Sequence, residues 1–186
     1  MTDADRERLR RLLLERSVRF GDFTLASGRR SSYYIDCRPS TMSAEGLTLI
    51  GRLGLQAIRG RAWRPRAVGG LTMGADPVAY AIAAASWESD LVLDGFSVRK
   101  EAKEHGAGRS IEGNFSPGDA VVVIEDVITS GGSAQKAIDA LEAAGGAVLG
   151  VLAVVDRGEG GRALLEAKGR EVVALMTSRD LGLDQR

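Results

Sequence analysis

Residues 121–133 concentrate the side chains most suited to chemistry: an apolar run, Val121-Val122-Val123-Ile124, then the acidic pair Glu125-Asp126, then Val127-Ile128-Thr129-Ser130-Gly131-Gly132-Ser133. From Thr129 to Ser133 several backbone N–H groups and hydroxyls can gather around one point. A helix starting there adds its positive end, so a phosphate monoester would be well held. Glu125 and Asp126, at the carboxyl end of the strand, lie where ligands of open α/β sheets bind and can grip two hydroxyls of a ribose. No Gly-Lys-Ser/Thr follows, and no Gly-x-Gly-x-x-Gly is present, which separates this turn from nucleoside-triphosphate and dinucleotide loops. The bland alternative is a strand-to-helix turn with a Ser/Gly cap and two solvated carboxylates.

A second concentration of charge is Arg99-Lys100-Glu101-Ala102-Lys103-Glu104-His105-Gly106-Ala107-Gly108. The chain has 21 Arg and only 4 Lys, yet Lys100 and Lys103 share one six-residue window with the only histidine, His105. Such a segment is polar enough to lie in water when open and can close as a lid; a solvated charged hairpin is the alternative. Near the N-terminus, Tyr33-Tyr34-Ile35 offers an aromatic face for a flat ring, with one tyrosine expected in the core. Arg157, in Val155-Asp156-Arg157-Gly158, carries a planar fork able to bond both oxygens of a carboxylate, although a surface Arg after a strand is common. In Gly69-Gly70-Leu71-Thr72-Met73-Gly74-Ala75-Asp76-Pro77 the glycines allow close backbone approach, while Asp76 can cap a helix beginning at Pro77.

The elements that must position these groups follow from periodicity. Leu9, Leu12 and Leu13 recur at helical spacing from Asp3 to about Ser17. Two short strands around a turn are expected between Phe20 and Arg38, and a helix over 43–59 with Ser43 as its cap. Strand and helix then alternate. Ala67 to Gly69 leads into a helix over 76–88, and Leu91 to Leu93 with Phe96 to Val98 supplies strand material. Ala120 to Ile124 precedes a helix over 132–144, Ala147 to Val155 one over 159–168, and Val172 to Leu175 ends the series. Continuous apolar strands alternating with helices predict an α/β fold, a mainly parallel sheet covered on both faces. One domain over 1–186 is expected, with about 17–40 as a small hood, and no repeat or low-complexity tract divides it.

Composition narrows the partners. With 25 basic and 25 acidic residues there is no overall electrostatic footprint for nucleic acid. No apolar run approaches the ~20 residues of a membrane span. The single Cys37 cannot form an internal disulfide, and no signal sequence opens the chain, so a soluble cytoplasmic protein is expected.

The acidic pair followed by Thr-Ser-Gly-Gly-Ser resembles the phosphoribosyl pyrophosphate signature of type I phosphoribosyltransferases. The charged segment 99–108, the stretch Phe23 to Asp36, Arg157 and the loop 69–77 narrow the resemblance to orotate phosphoribosyltransferases, over about residues 17–160. That resemblance implies the family's fold and its Mg²⁺-dependent transfer of phosphoribosyl from phosphoribosyl pyrophosphate to orotate, in pyrimidine biosynthesis. It implies catalytic roles on the pyrophosphate for Arg99, Lys100, Lys103 and His105. Glu125, Asp126, Val127, Ile128, Thr129, Ser130, Gly131, Gly132 and Ser133, with Thr72 and Met73, would bind phosphoribosyl pyrophosphate; Thr129, Arg157, Tyr34 and Ile35 would bind orotate. Mg²⁺ would arrive mainly on the substrate, with a water-mediated contact to Asp126 and no dedicated protein ligands. A homodimer with shared active sites is implied as well. Ala26 and Met73 stand where other branches of the family have lysines, with backbone amides, Arg29 or Arg30 as replacements. Two other readings stay open: a phosphoribosyltransferase for another base, and a non-catalytic nucleotide sensor on the same fold.

Overall fold

The computed structural model describes residues 3–24, 28, 30–101 and 110–184. Helix α1 (Asp3–Arg16) is followed by the antiparallel hairpin β1 (Val18–Thr24) and β2 (Arg30–Ile35), then α2 (Arg38–Thr41) and α3 (Ala44–Arg59). The rest builds one sheet and its covering helices: β3 (Ala67–Leu71), α4 (Ala75–Ser86), β4 (Asp94–Val98), β5 (Ile111–Gly113), β6 (Ala120–Ile128), α5 (Gly132–Ala143), β7 (Ala147–Asp156), α6 (Gly161–Ala167) and β8 (Val172–Thr177). Ser43 caps α3 as its type and position predict, accepting from the Gly46 amide at 3.0 Å.

The strand order is β5-β4-β3-β6-β7-β8, parallel throughout except for β5, which runs against β4. The apolar runs of β6 and β7 are continuous because both of their faces are covered. Val122, Ile124, Leu152 and Val154 enter the core cluster shared with α1, α3 and α4, while Val121, Val123, Val151 and Ala153 enter the cluster on the α5 side. Val18, Tyr33 and Ile35 join the first cluster, so the hairpin's inner face is anchored to the sheet rather than hanging free.

The order places a switch point between β3 and β6: from β3 the chain winds outward through β4 and β5, and from β6 outward through β7 and β8. At such a point the loops leaving neighbouring strands diverge and open a crevice beyond their carboxyl ends.

Three expectations about elements change. Leu91 to Leu93 is not strand: the Leu93 amide donates to the Ser86 hydroxyl at 2.9 Å, which ties this stretch to the end of α4. Strand β6 continues to Ile128, so the acidic pair lies inside its second half. Asp76 does not cap α4; the helix starts one residue earlier, and the Asp76 carboxylate accepts from the Ser97 hydroxyl at 2.7 Å.

Candidate active site

The crevice between β3 and β6 opens into a cavity of ≈ 510 Å³. Tyr34 and Ile35 reach it from the hairpin, Thr72 and Met73 from the loop after β3, Lys100 from beyond β4, and Arg157 from the loop after β7. Its floor is Glu125, Asp126 and Val127 of β6, with Thr129, Ser130 and Ser133 of the following turn. Ile128, Gly131 and Gly132 instead wrap a smaller hollow of ≈ 40 Å³ inside that turn. Arg99 lines neither: its Nε donates to Glu112 at 2.9 Å, across the β4–β5 pair. Lys103 and His105 lie outside the described residues, as does Ala26. A larger cavity of ≈ 770 Å³ on the other side of Arg157 lacks the turn and both β6 carboxylates, so the chemistry belongs to the smaller one.

The turn after β6 has the form a phosphate needs because another turn presses against it. The Gly161 amide donates to the Thr129 carbonyl at 2.9 Å, and the Arg157 amide to the Ile128 carbonyl at 3.0 Å. A Cβ on Gly161 would lie 2.4 Å from the Thr129 oxygen, a contact no side chain can make. Gly131, at the start of α5, has φ 79°, which a side chain would strain. The loop after β3 closes in equally tightly, since a Cβ on Gly74 would sit 2.6 Å from the Asp126 carboxylate. These close approaches aim the start of α5 and the tip of β6 at one volume.

Charge in that volume is poorly solvated. Glu125 is 6% exposed and its Oε1 has no hydrogen-bond partner. Burial, reinforced by the neighbouring Asp126 charge, raises its pKa from 4.5 to about 8. Burial also raises Asp126, against the pull of the Val127 amide, which donates to its Oδ1 at 2.9 Å. On the facing wall Arg38 grips Asp36 with Nε at 2.8 Å and Nη2 at 2.9 Å, holding that carboxyl below its ordinary value. Cys37, between them in sequence, is fully buried and its thiol is pushed up by burial, which makes it an inert apolar filler.

Arg157 is the least expected feature. A residue that sequence alone leaves between surface and site is 5% exposed, and neither its Nε nor its Nη2 has a hydrogen-bond partner. Those two nitrogens form one edge of the guanidinium, the edge that matches the two oxygens of a carboxylate. Glu159 lies 2.8 Å from Nη2, balancing its charge without hydrogen-bond geometry. Tyr33 is buried in the core and Tyr34 is 41% exposed on the opposite face of β2, as the expected split of that pair requires.

Sequence reasoning did not single out Arg38 or Glu159. The Asp36-x-Arg38 spacing is visible, but nothing in it says that the pair faces the cleft. Among the described residues no group of three or more metal-binding side chains stands together, so a metal bound here would draw most of its ligands from elsewhere.

A turn of small residues at a helix start, two desolvated carboxyl groups and an arginine edge without hydrogen bonds are together suited to a phosphate, to neighbouring hydroxyls and to a carboxylate. Residues 43–169 match the phosphoribosyl transferase domain family. The orotate phosphoribosyltransferase of Rhodopirellula baltica is 46% identical over 93% of this chain and 92% of its own length. That of Aquifex aeolicus is 45% identical over 95% and 97%. The Mycobacterium tuberculosis orotate phosphoribosyltransferase, solved in complex with 5-phospho-α-D-ribosyl 1-diphosphate, superposes with a TM-score of 0.81 at 39% identity, covering 96% of this chain and 99% of that one. Fold, site and near full-length likeness converge on one assignment: this chain belongs to the orotate phosphoribosyltransferases.

Proposed function

We propose that this chain transfers the 5-phosphoribosyl group of phosphoribosyl pyrophosphate to orotate, forming the bond from N1 of the base to C1 of the sugar. The bond from C1 to the diphosphate oxygen breaks, the N1 proton passes to the departing diphosphate or to solvent, and orotidine 5′-monophosphate and pyrophosphate result. The observation that carries this reading is the cleft itself: a turn suited to a phosphate at one end and, at the other, the Nε/Nη2 edge of a buried arginine, which makes no hydrogen bond there and has the Glu159 carboxylate beside Nη2. A purine has no carboxylate to complete the hydrogen bonds of that edge, and leaving them unmade in a desolvated site would count against it.

In this reading the turn Thr129 to Ser133 seats the 5′-phosphate. Glu125 and Asp126 accept from the ribose hydroxyls, and Tyr34 covers the ring whose carboxylate Arg157 holds. As the C1–O bond breaks, positive charge builds on the sugar and negative charge on the diphosphate. The β6 acids Glu125 and Asp126 lie beside the first, and cations that reach the second favour the transition state over the bound substrate. Lys100, Lys103 and His105 are those cations in our reading, with Arg99 at the base of the segment. Its support is that both roots of the segment stand beside the cleft: the Arg99 amide donates to the Ser110 carbonyl at 2.8 Å, and Thr72 to Val98 at 2.8 Å. Closure over the diphosphate would exclude water as a competing nucleophile.

Hard oxygen donors suit Mg²⁺, and the orphaned Glu125 Oε1 with the neighbouring Asp126 gives the cleft such donors. Among the described residues no three metal-binding side chains gather there. We infer that it comes with the diphosphate and that Asp126 meets it through water. When bound, it neutralises charge on the leaving group.

We further infer a cytoplasmic homodimer. Its support is an apolar seam along α4: Pro77, Tyr80, Ala84 and, at the helix end, Trp87 follow one another at the 3-4-3 spacing of helices that pack side by side, with Met73 exposed in the turn before them. Trp87 is 76% exposed and Tyr80 50%, too large an apolar stripe for a chain that stays alone. Met73, just before the seam, lies on the rim of the cleft, so a second copy seated there lies beside the first copy's site. None of the described helices is long and apolar enough to cross a membrane.

The decisive test is turnover of phosphoribosyl pyrophosphate with orotate, uracil and adenine, each with and without Mg²⁺. Metal-dependent consumption of orotate is expected; turnover of adenine in preference to orotate would overturn the reading.

A further inference from the structure

Arg157 is fixed at its backbone but not at its tip. Its amide donates to Ile128, and its carbonyl accepts from the Ser178 hydroxyl at 3.1 Å. The guanidinium, by contrast, has no hydrogen bond at Nε or Nη2. Among the described residues it meets the Glu159 carboxylate at 2.8 Å and the face of Tyr33, whose ring centre is 4.9 Å from the guanidinium carbon. The first sets charge, since its geometry is not that of a hydrogen bond. A flat cation lying over an aromatic face is held in plane by the ring, and the attraction is strongest where both partners are dry, as Tyr33 and Arg157 are.

We infer that Tyr33 is a positioning residue for the base: its ring sets the plane in which the Nε/Nη2 edge of Arg157 meets the substrate carboxylate, and so the enzyme's affinity for orotate. This rests on the reading of Arg157 as the carboxylate anchor. Tyr33 reaches Arg157 from the hairpin and belongs to the same core cluster as the sheet, so the ring has little freedom to turn away. An arginine edge held ready costs the substrate no ordering on arrival; one free to rotate must be ordered each time, at the expense of affinity. Only the ring face is needed. The Tyr33 hydroxyl makes none of the contacts described, so phenylalanine should serve and an aliphatic residue should not.

The test is the steady-state kinetics of Tyr33→Phe and Tyr33→Leu, with each substrate varied. For Tyr33→Leu the KM for orotate should rise about tenfold to a hundredfold, while kcat at saturating orotate and the KM for phosphoribosyl pyrophosphate stay within about threefold. Tyr33→Phe should behave as the unaltered enzyme. An unchanged orotate KM in Tyr33→Leu would overturn the inference. So would Tyr33→Phe as impaired as Tyr33→Leu, or a parallel loss in both KM values and kcat, which would mark a structural role. Should Tyr33→Leu fold poorly, Tyr33→Met takes its place. The same aliphatic change made on an Arg157→Ala chain should have no further effect on orotate KM; an undiminished effect there would show that Tyr33 does not act through Arg157. Failure of the unaltered enzyme to use orotate would instead overturn the functional reading beneath.

Discussion

Replacing Glu125 by glutamine isolates the cost of holding a charge at the bottom of the cleft. The amide has the carboxylate's shape and no charge. In the unfolded chain Glu125 ionises near 4.5, and in the folded protein near 8, because burial and Asp126 oppose the anion. Below pH 4.5 both forms keep the proton, and the site carries no electrostatic penalty. As pH rises from there toward 8, the unfolded chain has released a proton that the folded one retains, so stability falls with rising pH and levels off above the folded value. Each unit of separation is worth about 1.4 kcal/mol, so the loss is on the order of 4–5 kcal/mol across the window. For a chain of this length that corresponds to roughly 10–15 °C in Tm. Thermal unfolding of both proteins, without ligand, from pH 5 to 9 measures it. Other titrating groups act on both alike, so the quantity to read is the difference in Tm, with Glu125→Gln gaining on the parent as pH rises. Parallel curves across the range would refute the reasoning, because they would mean that Glu125 ionises alike folded and unfolded.

Three further outcomes are expected. Arg157→Lys keeps the charge but loses the two-nitrogen edge, and kcat/KM for orotate should fall roughly 30- to 1000-fold, equivalent to about 2–4 kcal/mol of charge-assisted bonding; a fall below threefold would remove Arg157 from the base site. Lys103→Ala should lower turnover by roughly two to three orders of magnitude, the scale of losing one preorganised electrostatic partner, and near-normal turnover would make that lysine a bystander. Trp87→Glu places a charge in the apolar seam and should shift the protein to monomer in sedimentation analysis; an unchanged dimer would put the interface elsewhere.

How much of this was legible in the sequence depended on the range of the interaction involved. Local signals were reliable: the Ser43 cap acts on an amide three residues away, and the run from Val121 to Ser133 carries strand, acids and turn in one unbroken stretch. The division of Tyr33 and Tyr34 between core and surface follows from the two-residue period of a strand. Features created by pairing distant segments were not legible. Strand β5 is only three residues, too short to show alternation, and exists because β4 offers it an edge. The engagement of Arg99 by Glu112 depends on that pairing, so a cation read as part of the charged segment 99–108 is tied to β5 instead. Asp76 reads as a cap until β4 brings Ser97 to it. The burial of Arg157, the stacking of Tyr33 on it and the clearance of Gly74 from Asp126 are likewise products of tertiary approach.

The ladder between β6 and β7 has a consequence for what this molecule can evolve to accept. Val127 pairs with Val155 and Ile128 with Asp156, so the turn after β6 and the loop that carries Arg157 leave their neighbouring strands from the same rung. Their separation is set by main-chain spacing, about 4.8 Å from strand to strand, and further pinned by the amide of Arg157 on Ile128. Side-chain substitution can therefore reshape what either segment presents to the cleft, but not the spacing at which the sheet holds their main chains.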